Sequence, residues 1–104
     1  LRFTLSPITE YPLGSSYVFY LSTTLSGGFA FFRISTSGAG VGVGETFEGT
    51  ITASTSSISV NGAYEIETNA GSGDSGDRIK ITKISNSVWQ VEGSVKDGSN
   101  WSVS

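Results

Sequence analysis

Arg78-Ile79-Lys80-Ile81, then the polar turn Ser85-Asn86-Ser87, then Val88-Trp89-Gln90-Val91-Glu92 decide how this chain is read. Ile79 and Ile81 alternate with Arg78 and Lys80, and Trp89 and Val91 stand opposite Val88, Gln90 and Glu92. A period of two puts apolar side chains on one face of a pleated strand and polar ones on the other. The same period extends outward. Tyr17, Phe19 and Leu21 share one face, with Val18 and Tyr20 on the other; Phe29, Phe31 and Arg33 alternate with Ala30, Phe32 and Ile34. Ile51 and Ala53 fall in a run over 47–53, and Tyr64 and Ile66 alternate with Glu65 and Glu67.

Turn clusters separate these runs: Ser6-Pro7, Tyr11-Pro12-Leu13-Gly14, Ser26-Gly27-Gly28, Asn61-Gly62, the segment 71–77, and Asp97-Gly98-Ser99-Asn100. Each supplies a positive or fixed φ where a strand must stop. Asn61-Gly62 between two alternating runs reads as a two-residue hairpin. No window carries 3.6-residue spacing with caps, so helix is expected to be nearly absent. The expectation is a single all-β domain over 1–104, with seven to nine short antiparallel strands in a sandwich, a small barrel or an intertwined β-prism. Apolar residues fall on both faces of several strands, which favours an oligomer whose neighbours cover the second face.

A chain of 104 residues holds one core, with roughly two-thirds of its unfolded surface buried at most. It has no cysteine and no histidine, so disulfides, thiolate metal sites and the commonest general base are all missing. Catalytic and cofactor-binding residues are expected to be none. Six cations against nine anions give a net charge of −3, and the cations are scattered apart from Arg78, Lys80 and Lys83 on one strand. Such a pattern argues against nucleic acid as a partner. No apolar run reaches the roughly 20 residues of a membrane span, so no membrane insertion is expected. Charged residues are only 14% of the chain, which leaves neutral Ser, Thr and Gly to cover the surface. The opening Leu1-Arg2-Phe3-Thr4-Leu5 reads as mid-strand without an initiator methionine, so a processed or excised part of a longer chain is expected.

Several motifs carry a chemical reading beside a plainer one. The glycines of 38–44 suggest a phosphate loop, but no helix or GK[ST] follows, and a thin, closely packed strand explains them better. Asp74 and Asp77 in Gly73-Asp74-Ser75-Gly76-Asp77 are the only metal candidates; the third acid and bidentate glutamate of a calcium loop are missing, so a solvated turn is the first reading. Glycoside hydrolysis needs only two carboxylates, and Glu45, Glu48, Glu65, Glu67, Glu92 and Asp97 are available, with Glu65 and Glu67 near enough on one strand to repel. An exposed polar strand face is by far the better account of them. Flat rings that stack on sugars or fill a partner's pocket are the more credible functional feature. Trp101, Trp89, Tyr11 and Tyr64 are the ligand-stacking candidates, although mid-strand Trp89 reads better as core, while Tyr17, Phe19, Phe29 and Phe31 are interface candidates with the two tryptophans. Asn100-Trp101-Ser102 also matches a glycosylation acceptor, which carries no meaning if the protein is made in bacteria.

Two segments resemble phage structural proteins. Tyr11-Pro12-Leu13-Gly14-Ser15-Ser16-Tyr17-Val18-Phe19, followed by Ser26-Gly27-Gly28-Phe29-Ala30 and the strand to Ile34, is similar to a Y-x-x-G-x-x-Y-x-F … G-A-x-x-x-I pattern of fibre and tail-associated proteins. Gly76-Asp77-Arg78-Ile79-Lys80-Ile81 with Trp89-Gln90-Val91-Glu92-Gly93 and Trp101 resembles their C-terminal strand pair, G-D-x-I-x-I answered by W-x-V-x-G. Gly28-Phe29 departs from the pattern, which more often has a small residue after the glycine. The resemblance implies a homotrimeric fibre, spike or capsid-decoration module of a bacteriophage virion, made in the bacterial cytoplasm. Its implied partners are other virion proteins and a host-surface glycan; a carbohydrate-binding or receptor-binding module is the alternative.

Overall fold

In the computed structural model, which describes residues 1–27, 30–37, 44–54 and 56–104, alternation becomes burial. Nine strands are found among these residues: β1 (Arg2–Thr4), β2 (Ser16–Tyr20), β3 (Arg33–Ser35), β4 (Thr46–Ala53), β5 (Ser57–Ala63), β6 (Glu65–Thr68), β7 (Arg78–Lys83), β8 (Val88–Val95) and β9 (Trp101–Val103). The helical content among them is two single 3-10 turns, Ile8–Glu10 and Gly98–Asn100. The strands form a four-stranded sheet ordered β1-β3-β6-β9 and a five-stranded sheet ordered β2-β7-β8-β4-β5. Both sheets feed one core, in which Ile34 and Ile66 of the first sheet join Phe47, Ile51, Ile79, Ile81, Trp89 and Val91 of the second. The arrangement is that of a β-sandwich rather than a closed barrel.

Neither sheet is purely antiparallel. β1 runs parallel to β3, and β4 parallel to β8 over eight paired positions from Thr46↔Val88 to Ala53↔Val95. Side-chain period is identical in the two ladder types, so alternation alone does not carry strand direction.

The Asn61-Gly62 hairpin does not form. Asn61 and Gly62 continue β5, and the register jumps from Phe47↔Ala63 to Glu48↔Asn61, so Gly62 has no partner on β4. With φ near +70°, Gly62 is the extra residue of a bulge that turns the chain out of the five-stranded sheet and into β6 of the other. A two-residue turn would have kept both strands in one sheet; the bulge moves the apolar face of the run across the core instead.

Gly49 in mid-β4 has a different role. A Cβ there would lie 2.1 Å from the Val91 carbonyl oxygen, and the φ of +147° is itself one that L side chains rarely adopt. The close β4–β8 ladder therefore depends on glycine at this position. The glycine-rich segment 38–43 lies outside the described residues. The cationic strand also splits by face: Arg78 and Lys80 lie on the outer face of β7, whereas Lys83 is buried and donates through Nζ to the Tyr11 carbonyl at 2.7 Å.

Candidate functional site

The two tryptophans are core side chains, as the mid-strand position of Trp89 implies, and the reading of Trp101 as a surface candidate is corrected. Trp89 is 0% exposed and meets Tyr11 and Tyr17 edge-on, with ring centroids at 5.1 and 6.3 Å. Trp101 is 5% exposed, packs edge-on to Phe32, and donates through Nε1 to Asp77 Oδ2 at 2.8 Å. Trp101, buried with its N–H satisfied, has nothing left for an outside ligand, and Trp89, whose Nε1 has no partner among the described residues, is too deeply buried to reach one.

Asp77 anchors that corner. Although charged, it is buried, and it accepts from the backbone N–H of Asp74 at 3.0 Å and of Lys96 at 2.9 Å as well as from Trp101. The loop expected to be a solvated turn is thus closed around a buried carboxylate that caps backbone donors. Among the described residues no group of three His, Cys, Asp or Glu side chains is placed to hold a metal ion.

The other carboxylates are dispersed. Glu45 accepts from Ile8 N–H at 3.0 Å, at the start of the first 3-10 turn. Asp97 caps the second turn: the hydroxyl and N–H of Ser99 both donate to it and hold its carboxyl below the usual carboxylate range. Glu65 and Glu67 do share a face, but Arg33 lies between them, with Nε 3.0 Å from Glu65 and Nη2 2.7 Å from Glu67. The hydrogen bond that Arg33 donates to Glu67, opposed by desolvation and aided by the charges of both glutamates, raises the Arg33 pKa. Phe31 is half-buried beside this group, with the Arg2 and Arg33 guanidinium groups 5.6 and 5.4 Å from its ring centroid. Phe29 lies outside the described residues.

The remaining aromatic candidates gather around β2. Phe19 is half-buried and meets Phe3 at 5.1 Å and Phe32 at 5.9 Å. Tyr17 is 40% exposed, and Val18 and Tyr20 point outward. Of the large apolar side chains left exposed, Leu13 precedes β2, Tyr17, Val18 and Tyr20 belong to it, and Phe3 stacks on its Phe19. Ile84 lies beside Leu13, because Gly14 N–H donates to the Lys83 carbonyl at 2.9 Å. β2 is also an edge strand, paired with β7 on one side and with no strand on the other among the described residues. Its five residues include no charge and no proline, the usual guards of a free edge.

A second surface was not foreseen. On the outer face of the five-stranded sheet, Thr50, Thr52, Arg78, Gln90, Glu92 and Ser94 line an open-sided cleft of about 430 Å³. The backbone of Gly49, Val91 and Gly93 forms part of its wall. Each side chain is the polar member of an alternating strand, so the signal lay in the sequence but in three runs whose adjacency only the parallel β4–β8 ladder creates. Comparison of the chain with protein-family models, curated proteins and solved structures returns no match.

Proposed function

We propose that this domain is a non-catalytic structural module of a bacteriophage virion, a fibre, spike or capsid-decoration element, that assembles with copies of itself through the β2 edge. One observation carries the assembly part: among the described residues, all the large exposed apolar side chains except Leu1 lie on or beside an uncharged edge strand whose outer side pairs with no described strand. An edge of this kind invites a further strand, and contiguous apolar surface marks an interaction site. The virion setting rests on the sequence resemblance. Parts of its motif segments fall on β2, β7 and β8, consecutive neighbours in the five-stranded sheet, while the strand to Ile34 and Trp101 belong to β3 and β9 of the other sheet.

Light scattering on the purified domain tests assembly. A mass near three times the 10.9 kDa of one chain at micromolar concentration is expected; the mass of a single chain sinks the proposal. Peptides of this chain in purified particles, identified by mass spectrometry, are the corresponding expectation for the virion setting.

A further inference from the structure

We infer that the cleft on the outer face of the five-stranded sheet is a binding site for a neutral oligosaccharide. Its six polar side chains, Thr50 and Thr52 from β4, Arg78 from β7, and Gln90, Glu92 and Ser94 from β8, come from three adjacent strands and converge on one space. That space, about 430 Å³, falls within the roughly 300–1,000 Å³ of small-molecule sites.

The polar groups are not spent on one another. Glu92 stands directly opposite Lys80 in the β7–β8 register, yet the two form no ion pair, and among the described residues neither does Arg78. Arg78 Nε is shielded from water and has no acceptor among the described residues. An unmet donor in a partly desolvated setting costs stability unless something supplies the oxygen. Such leftover capacity is what a ligand's hydrogen-bonding groups can use.

Charge and geometry select the ligand class. Arg78 and Glu92 balance within the cleft, so it lacks the positive excess that a phosphate or a nucleic acid requires. The lining is predominantly hydroxyl, amide and carboxylate, which a lipid chain would leave unsatisfied. Those groups repeat from strand to strand at about 4.8 Å, a spacing suited to a ligand whose own hydroxyls recur along its length. Tyr20 stands opposite Arg78 on the same face, 63% exposed, its ring centroid 6.0 Å from the guanidinium carbon, and offers a flat apolar surface for a sugar ring beside the hydrogen-bonding groups.

The test is a titration of the isotopically labelled domain, followed by amide NMR, with soluble hexasaccharides of glucose, galactose and mannose, and with inorganic polyphosphate as the charged comparator. Shifts confined to Tyr20, Thr50, Thr52, Arg78, Gln90, Glu92 and Ser94 are expected with at least one neutral hexasaccharide. Thr50→Ala and Gln90→Ala, both at exposed positions, should each weaken that binding about tenfold with an unchanged melting temperature. No shift with any of the neutral sugars at about 10 mM, well above the Kd of a specific site, overturns the inference. So does a preference for polyphosphate, or undiminished sugar binding by the two variants.

Discussion

Asp77 shows how a residue that reads as a ligand can serve the fold instead. Its two oxygens accept three N–H groups, from Asp74, Lys96 and Trp101, and so join the loop before β7, the end of β8 and the start of β9. Removing the carboxylate strands those donors, and hydrogen bonds to a charged acceptor are worth more than neutral ones. Asp77→Ala is expected to cost about 3–5 kcal/mol in urea unfolding, a large share of a small domain's stability. Asp77→Asn should fall between, because an amide presents an acceptor on one side and a donor on the other. Trp101→Phe, harmful alone, should cost less in the Asp77→Ala background, where the indole N–H has already lost its acceptor. The pairing was not legible beforehand: the Gly-Asp-Ser-Gly-Asp spacing suggested a turn, and nothing in it told that the second aspartate points inward at a tryptophan 24 residues later.

Among the elements, alternation was the most reliable guide and direction the least. Ile79, Ile81, Trp89 and Val91 face the core as their period implied, and Phe19 and Leu21 lie inward of Val18 and Tyr20, whereas Tyr17 remains 40% exposed. The β4–β8 parallel ladder and the crossing of the sandwich at Gly62 were not legible, because both depend on long-range closure that leaves the local period unchanged. Hence the cleft, which needs β4 beside β8, was missed, and Trp101 was offered in its place. The β3–β6 pair shows a similar limit. Glu65 and Glu67 read as a repelling pair, whereas Arg33 on the neighbouring strand holds both. Arg33→Ala should therefore restore the repulsion across one strand face. The loss of thermal stability should be small, well below that of Asp77→Ala, and should shrink as sodium chloride is raised, since exposed charges are screened. A loss that is unchanged by salt would mean that Arg33 acts through its packing on Phe31.

At the scale of the whole molecule, the surplus of apolar surface expected from two-faced strands is smaller than the sequence implies and more localised. Both tryptophans, Phe32 and Phe47 are covered by the chain's own two sheets, and the radius of gyration of 13.0 Å is that of an ordinary domain of about 100 residues. The core is thus complete without companion copies, and what remains for a neighbour is the β2 edge. Folding and assembly then become separable. Val18 is 42% exposed, on the outer face of that edge strand. A glutamate there, directly opposite Lys80 of β7, would keep the inward ladder intact while placing a charge where another chain would dock. Val18→Glu should leave the unfolding midpoint close to that of the native chain, a change of about 0.5 kcal/mol or less, while light scattering falls from a multiple of the chain mass to a single chain. An unfolded variant would mean that β2 is needed for the core itself, and a variant that still assembles would move the interface elsewhere. The uncharged β5 edge on the far side of the same sheet is the next place to substitute.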